Sequence, residues 1–562
     1  MRLGSSHWRQ DRPWFLAVLA IATLAGAPVA AIAFLALGAE AGVWRHLATT
    51  VLPAALADTA MLLTGVAILA GSIGVVTAWL VAAHDFPGRR LFEGALLLPL
   101  AMPAYIVAYT YVDLTDYFGP VQSVLRFAFG FRSRQDYWFP DLRSMPGAIC
   151  LLGLVLYPYV YLTARAMFMM QSSCVIDAAR TLGAGPRAAF FQIALPLARP
   201  AIAVGVALAL MEAMNDIGAV EYLGVRTLTV SIYTTWLNRG SLGGAAQIAL
   251  LTLAVIIGLI VLERWARRNQ RYASQAQRQR RMTRLRLTGG GAALAVLACA
   301  VPFALGFAVP ALRLAVLATR ATLAEGLPDG FAVALSHSLI LATIAALLAV
   351  AFGLTIAWSL RVTRTPGLHG LARLAGLGYA IPGTIFAVGM LTPLAAVDNA
   401  ANALAKAWFG FAPGLVLSGS GFALVLAYSV RYLSVAAGSI EAGFQKISPH
   451  LDMAARNLGR TSLQTVREIH VPLIRPALGT AALLVFVDVM KELSATLLLR
   501  PFDYDTLATL LYQQAARGLF ENGALAALTI VAAGLGPVLL LAHLSRPADM
   551  PSRSRAPAGA ML

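Results

Sequence analysis

Four acidic side chains lie inside otherwise apolar stretches of this sequence, in matching places of its two halves. Glu212 and Asp216 stand four residues apart, and Asp488 and Glu492 have the same spacing at the corresponding place of the second half. An ionisable residue inside an apolar, membrane-length stretch is costly, and it is a functional-site hypothesis by default. Because residues four apart share one face of a helix, we expect each half to present two carboxylates on one stripe.

These carboxylates support two interpretations. Hard oxygen ligands favour cations, so the acids could line part of a substrate pathway for a cation. Alternatively the acids are structural, and they cap helix bends or pair with Lys491 and Arg500 to hold the two halves together. Lys491 would neutralise part of the negative charge in both cases. The residues alone leave both interpretations open.

The composition indicates a protein with many membrane spans. Of its 562 residues, 59% are hydrophobic and only 12% are charged, whereas a soluble domain carries about 25% charged residues. The three cysteines are too few and too scattered for a disulfide framework or a zinc site. The sequence has no Gly-x4-Gly-Lys-Ser/Thr phosphate loop, no nucleophile–base set and no metal-ligand cluster. We therefore expect no catalytic residues, no covalently bound cofactor and no firmly assigned metal site.

Twelve apolar segments are long enough to cross about 30 Å of hydrocarbon. They are residues 14–37, 57–83, 91–112, 146–168, 199–221, 243–262, 288–310, 334–359, 371–394, 415–437, 476–498 and 521–543. If the N-terminus is inside, the segments on its side hold 30 of the 43 lysines and arginines, and the opposite loops hold 12. This excess predicts a multi-pass protein with both termini in the cytoplasm.

The chain repeats itself. When Ala55 is aligned with Ala334, Ala55–Leu63 matches Ala334–Ala342, and Pro103 falls on Pro382 without a gap. Each half holds six predicted spans, an even number, so the two copies have the same orientation in the membrane. The predicted fold is therefore an all-α polytopic membrane protein of about twelve transmembrane helices in two parallel six-helix halves.

A basic run separates the two halves. Residues Arg264 to Arg286 hold nine arginines, and we expect them to lie along anionic lipid headgroups. A nucleic-acid partner is not expected. The predicted organisation is a first transmembrane domain at 1–263, a basic cytoplasmic linker at 264–286 and a second transmembrane domain at 287–562.

Two polar segments recur in the predicted cytoplasmic loops, DAARTLGAGPRAAFFQIALP from residue 177 and MAARNLGRTSLQTVREIHVP from residue 453. In each, two alanines favour a short, closely packing helix, a glycine suits its C-terminal cap, and an isoleucine and a proline follow before the next span. The positions are Asp177, Ala178, Ala179, Gly183, Ile193 and Pro196, and Met453, Ala454, Ala455, Gly459, Ile469 and Pro472. A short helix, a tight turn and a second helix would form a dock for another protein. The alternative is an ordinary amphipathic connector.

The paired segments resemble the EAA loop in the membrane subunits of type I binding-protein-dependent ABC importers. In that family the loop forms a coupling helix that sits in a cleft of the ATP-hydrolysing subunit. Asp177 stands where glutamate is usual, whereas Met453 is a departure, although Asp452 is adjacent. The resemblance implies two ABC ATPase subunits on the cytoplasmic side, a periplasmic solute-binding protein outside, and a bacterial inner-membrane location. ATP and Mg would be used by the partner ATPase.

Three further stretches resemble the fused ferric-iron permeases: residues 98–122, 220–236 and 491–509. That resemblance implies Fe(III) as the transported solute. Relatives of similar layout carry thiamine, polyamines, 2-aminoethylphosphonate or sulfate, and these remain alternatives, although carboxylates fit a cation better than an anion. A different class, the ion-coupled secondary transporters, also uses twelve helices in parallel halves. A secondary transporter, however, has no reason to duplicate a dock for an ATPase.

Overall fold

The computed structural model describes residues 4–39, 41–170, 185–267, 284–363, 365–448 and 450–544. Within these ranges the protein is built almost entirely of helices. The strands found there are β1 (His84–Asp85) and β2 (Leu285–Arg286), which pair in parallel. The predicted all-α polytopic class is confirmed.

The helices of the first half run in chain order as follows: α1 Gly4–Leu37, α2 Ala41–His46, α3 Leu52–Ala83, α4 Arg89–Ala95, α5 Ala104–Thr115, α6 Pro120–Phe129, α7 Met145–Met170, α8 Pro186–Ala188, α9 Leu195–Asn215, α10 Ile217–Tyr222, α11 Leu228–Leu237 and α12 Leu242–Arg267. Those of the second half are α13 Gly289–Phe303, α14 Val309–Glu325, α15 Phe331–Val362, α16 Leu368–Ala375, α17 Gly383–Phe409, α18 Gly421–Arg431, α19 Leu433–Gln445, α20 His450–Asn457, α21 Ser462–Thr465, α22 Val471–Met490, α23 Thr496–Leu499, α24 Leu507–Ala516 and α25 Phe520–Leu544. Three 3₁₀ turns lie at Leu98–Ala101, Arg134–Asp136 and Gly376–Ala380.

Among the described residues, ten helices are long and apolar enough to cross a membrane, and twelve if each of two bent pairs counts as one span. The bent pairs are Arg89–Ala101 with Ala104–Phe129, at 92°, and Gly421–Arg431 with Leu433–Gln445, at 45°. The predicted number of spans is therefore confirmed when the bent pairs are included. The ninth span differs in position, because the helix begins after Pro382 and continues to Phe409 rather than covering 371–394.

Prolines inside four of the described membrane-length helices are accommodated without breaking the helix. Each follows a π-helical turn by two residues, and these turns are Leu47–Val51, Ala189–Ala194, Ala304–Ala308 and Val466–His470. Proline has no N–H and its ring crowds the carbonyl four residues earlier, and a π turn changes the local hydrogen-bond pattern. The helix therefore runs continuously through Pro196 and Pro472.

The internal repeat is visible in equivalent contacts of the two halves. Thr59 Oγ1 accepts a hydrogen bond from the Leu228 N–H at 3.0 Å, and Ser338 Oγ accepts one from the Leu507 N–H at 2.8 Å. Both residues of the second contact are equivalent to those of the first in the alignment that pairs Ala55 with Ala334. The two halves therefore join their corresponding helices in the same way.

Each half also contributes its first helix to the other half. Helix α1 packs on α15, α16 and α17, and α13 packs on α3 and α4. Strand β2, at the end of the predicted linker, pairs with β1 of the first half, and α12 extends to Arg267, past the predicted boundary at residue 263. The two sequence halves are therefore interleaved in space. We call the end of the bundle that carries α20 and residues 458–470 the motif face.

Candidate functional site

A cavity of about 70 Å³ lies between the two halves, where α9 and α22 end. Its lining includes Glu212 and Asp216 from the first half and Lys491 and Glu492 from the second, together with Tyr105. A buried water needs about 10–15 Å³ of such volume, so the cavity has room for a few water molecules. The structure thus brings three of the four predicted acids to one cavity at the interface of the halves.

Two of these acids cap helices. Asp216 has an extended backbone (φ −82°, ψ 99°), and its side chain accepts a hydrogen bond at 2.7 Å from the N–H of Ala219, at the start of α10. Glu492 follows the end of α22, and its Oε1 accepts a hydrogen bond at 2.8 Å from the N–H of Ala495. Acceptor and donor both occupy equivalent positions in the alignment that pairs the two polar segments. The two breaks are therefore the same structural device in each half.

The predicted stripe of two carboxylates on one helix face is wrong at Asp216 and Glu492. The helices end at Asn215 and Met490, before the second acid of each pair. The cause is that carboxylates accept hydrogen bonds from backbone N–H groups, which favours a helix start over a helix interior. Glu212 and Asp488 do lie on helices.

Two acids of the second half also have basic partners. Arg431 donates a hydrogen bond to Glu492 Oε1 at 2.5 Å, and both side chains are at most 5% exposed. Lys491 Nζ lies 2.9 Å from Asp488 Oδ1, as predicted. Arg500 pairs with Asp505 instead, so the predicted pairing of Arg500 with the acids is wrong.

The first-half acids have no such partners. In the ranges that the structure describes, neither Glu212 nor Asp216 makes an ion pair. The second-half acids are each matched by one cation. The cavity is therefore symmetric in its backbone and asymmetric in its ion pairs. The carboxylates that make no ion pair, here called the unmatched carboxylates, are on the first half.

Sequence reasoning missed Arg431. It lies in the predicted span 415–437, and an arginine there was itself a signal. Its neighbour Gly383 is required by the pair, because a Cβ at this position would overlap Arg431 Nη1 and lie 2.7 Å from Glu492 Oε1. The Gly383 N–H donates to Asn215 Oδ1 at 3.0 Å. The start of α17 thereby contacts both helix breaks.

Further hydrogen bonds join the two halves beside the cavity. Ser494 Oγ donates to the carbonyl of Asn215 at 2.8 Å, and Tyr105 OH donates to the carbonyl of Lys491 at 3.3 Å. The two accepting carbonyls belong to equivalent positions, each next to the break of its span. These bonds satisfy carbonyls that the helix ends leave open.

A second cavity, of about 430 Å³, lies on the side of the helix breaks that is opposite the motif face. Tyr109 and Glu221 line it, and Tyr512 OH donates to Glu221 Oε2 at 2.8 Å. The Tyr109 ring centre is 5.8 Å from that of Tyr105 and 4.5 Å from that of Tyr222. Tyr105 lines the first cavity and Tyr109 the second, so packed tyrosine rings separate the two.

At the motif face, the second polar segment has the predicted shape. Helix α20 ends at Asn457, Gly459 has φ +74°, and the Arg460 N–H donates to the carbonyl of Ala455 at 3.0 Å. This is the hydrogen-bond pattern of a helix that ends at a left-handed glycine. The second helix then starts at Ser462.

The segment presents apolar side chains to its surroundings. Met453 is 51% exposed, Leu458 81% and Leu463 65%, while Ala455 is buried. Ala454 and Pro472 are exposed, and Ile469 is half-buried. In the first copy, Asp177, Ala178, Ala179 and Gly183 lie outside the described residues, and Ile193 and Pro196 are half-buried.

Comparison with known proteins places these features in a family. Residues 70–272 match the family described as "Binding-protein-dependent transport system inner membrane component". The chain is 26% identical over 489 residues to the Fe(3+)-transport system permease protein FbpB 2 of Haemophilus influenzae, an alignment that covers 86% of this chain and 89% of that protein. It is 24% identical over 461 residues to the putative ferric transport system permease protein FbpB 1 of the same organism, covering 77% and 69%.

A shorter relative aligns with part of the chain. The molybdenum transport system permease protein ModB of Escherichia coli is 28% identical over 215 residues, which is 35% of this chain and 86% of ModB. ModB therefore aligns with one part of a chain whose sequence repeats, whereas the alignments with the ferric permeases cover most of the chain. Residues 70–272 thus carry the inner membrane component domain of binding-protein-dependent transport systems, and the similarity to Fe(3+)-transport permeases extends over most of the chain.

Proposed function

We propose that this protein is the permease of an ATP-driven importer that moves ferric iron, delivered by a periplasmic binding protein, across the bacterial inner membrane. The observation that carries the proposal is the cavity between the halves, whose unmatched carboxylates are Glu212 and Asp216. The similarity to FbpB 2 along 86% of the chain supports the same substrate. The excess of lysine and arginine supports a cytoplasmic position for both termini and for the motif face.

The chemistry of the cavity favours a cation. Carboxylate, amide and phenol oxygens are supplied by Glu212, Asp216, Asn215 and Tyr105, and hard cations prefer oxygen ligands. Three acids, Glu212, Asp216 and Glu492, outnumber Lys491 in the lining of the cavity, which disfavours an oxyanion such as molybdate or sulfate. The cavity of about 70 Å³ suits a bare or sparsely hydrated ion. We call the packed rings of Tyr105, Tyr109 and Tyr222 the tyrosine layer. A chelated ion would require this layer to open.

The motif face supports docking of two ABC ATPase subunits, one on each polar segment. Met453 on α20, Leu458 just after it and Leu463 on α21 are exposed, and together they give the second polar segment an apolar surface. Apolar side chains exposed near one another are typical of a protein-binding surface. The ATPases would supply ATP and Mg chemistry, since the sequence of this chain has no phosphate-binding loop of its own. Residues 1–263 and 287–562 would be the two permease domains, joined by the basic linker 264–286.

The second candidate function keeps the machinery and changes the solute. It is favoured by the 28% identity to ModB over 215 residues. In that case the protein would transport molybdate, and the acids would be structural. The charge of the cavity argues for the cation.

The test is reconstitution with an ABC ATPase and a periplasmic binding protein from the same organism. The ligand that copurifies with the binding protein is identified by mass spectrometry, and ATP-dependent uptake of ⁵⁵Fe(III) and of molybdate is measured in proteoliposomes. We expect iron in the binding protein and uptake of iron alone. Uptake of molybdate without iron would establish the second candidate, and uptake driven by a proton gradient without ATP would overturn the importer itself.

A further inference from the structure

An ionic cluster joins three helices at the motif face of the second half. Asp452, on α20, accepts a hydrogen bond from Arg361 Nε at 2.8 Å and one from His470 Nε2 at 2.5 Å. Arg361 is in the last turn of α15, and His470 is in the π turn that leads into α22. The side chains are 15%, 18% and 0% exposed for Arg361, Asp452 and His470. We call these three residues the Asp452 cluster.

Arg361 also ties down the loop that leads into α20. Its guanidinium donates to the carbonyls of Phe444, Ile447 and Ser448 at 2.9, 3.1 and 3.3 Å. The Phe444 carbonyl belongs to the last turn of α19, and the Ile447 and Ser448 carbonyls lie between α19 and α20. Arg361 on α15 therefore contacts both the loop before α20 and, through Asp452, α20 itself. These contacts fix the position of α20 relative to α15.

Aromatic side chains shield the cluster. The ring of Trp358, one turn before Arg361, is centred 5.0 Å from the ring of His470, and Phe444 lies 5.5 Å from it. Trp358 Nε1 donates to Ser462 Oγ at 3.2 Å, at the start of the next helix. The ion pairs are thus partly shielded from water. Electrostatic interactions are stronger in such a shielded place than on an open surface.

The first half lacks this cluster in its sequence. The positions equivalent to Arg361, Asp452 and His470 are occupied there by Ala82, Ile176 and Ala194. Ile176 lies outside the described residues. The tryptophan is retained as Trp79, whose ring packs at 5.1 Å from Phe190. The tryptophan is therefore common to both halves, whereas the charged residues at these three positions are found in the second half only.

The cluster explains the departure at Met453. In the second segment the acid stands one residue earlier, and one residue turns a helix by about 100°. Met453 is consequently half-exposed, while Asp452 faces α15 and α22. The carboxylate is used inside the protein rather than on the docking surface.

We propose that Asp452 is a positioning residue that transmits movement of the docked ATPase to α15 and α22, through Arg361 and His470. This inference rests on the proposed function, in which α20 docks an ATPase. A helix as short as α20 is not stable alone, so it follows an ATPase movement as a unit only if it is held to the helices that must move.

The test is the variant Asp452→Asn, purified with the ATPase and binding protein and reconstituted. Three quantities are measured: ATPase bound per permease, rate of ATP hydrolysis, and solute transported per ATP. We expect binding and hydrolysis to persist and transport per ATP to fall about fivefold or more, the range of coupling between linked sites. His470→Gln, which keeps one hydrogen-bond donor, should give a smaller loss, and Asp452→Glu should restore part of the coupling.

The matched control is Asp113→Asn. Asp113 pairs with Arg313 Nε at the same 2.8 Å, with side chains 22% and 17% exposed, and it also joins elements distant in sequence. We expect its transport per ATP to match that of the unaltered protein. Unchanged transport per ATP in Asp452→Asn, an equal loss in Asp113→Asn, or loss of the ATPase from Asp452→Asn would each overturn the proposal. Failure of the unaltered permease to bind any ATPase would instead overturn the proposed function.

Discussion

Asp216 and Glu492 have the same structural role in the two halves, and they differ in their charge partners. Each carboxylate caps the backbone N–H three residues ahead, at 2.7 Å to Ala219 and 2.8 Å to Ala495. Glu492 also pairs with the buried Arg431. The same backbone arrangement therefore occurs in both halves, but only the capping carboxylate of the second half makes an ion pair.

Removing Arg431 should destabilise the protein strongly. Arg431→Met leaves Glu492 buried without a cation, which costs about 3–5 kcal/mol when one partner of a buried pair is removed. The double variant with Glu492→Gln should recover most of that loss. Thermal unfolding in detergent measures both, with the exposed Arg320→Met as a control. Equal melting temperatures for the single variant and the unaltered protein would contradict the buried pair.

Gly383→Ala should disturb the same pair from the opposite side. A methyl group there overlaps Arg431 and approaches Glu492, so either the ion pair or the start of α17 must move. The matched control is Gly438→Ala, on the exposed face of α19 with no atom near its Cβ, where alanine stabilises a helix by about 0.5–1 kcal/mol. We expect a lower melting temperature for the first variant and an equal or higher one for the second. The reverse order would show that Gly383 is not confined.

Arginine at both motif glycines should uncouple the permease from its ATPase. Gly459 has φ +74°, so Gly183→Arg with Gly459→Arg strains the second turn and places bulk on the docking surface. Transport and ATPase copurification should be lost, while the permease still inserts in the membrane. Gly410→Arg is the control, because Gly410 ends α17 with φ +76° and an open Cβ position. Normal ATPase binding in the double variant would contradict docking at these segments.

The tyrosine layer should act as a barrier between the two cavities. Tyr109 is fully buried, and its hydroxyl has no hydrogen-bond partner among the described residues. Tyr109→Phe should therefore leave transport unchanged, whereas Tyr109→Ala should join the cavities and raise the ATP-independent leak of small ions from proteoliposomes. Equal leak in the two variants would assign the barrier to other residues.

Features set by local sequence were predictable. Membrane-length apolar runs identified the spans because every span needs about 20 apolar residues. The end of α20 at Gly459 followed from the preference of glycine for the left-handed conformation. Lys491 stands three residues from Asp488 on one helix, so their pairing was also within reach of the sequence.

Features set by distant contacts were not predictable. At Asp216 the chain could either continue the helix or end it and cap the next one. The four-residue spacing of the acids fits a continuous helix, so it gave no sign of the break. The pair of Arg431 with Glu492 joins residues 61 positions apart. The exchange of α1 and α13 between halves depends on tertiary packing, since any apolar helix can cover either half. The Asp452 cluster likewise requires three separate helices to meet.

The central claim is that the unmatched carboxylates on the first half serve a cation pathway, and Glu212→Gln tests it most directly. The measurement is the initial rate of ATP-dependent ⁵⁵Fe(III) uptake in proteoliposomes with the ATPase and binding protein present, with the exposed Asp329→Asn as control. We predict that uptake falls about tenfold, the effect of losing about 1.4 kcal/mol of interaction, while ATPase binding is unchanged. Uptake equal to that of the unaltered protein would contradict the claim and leave Glu212 a structural residue.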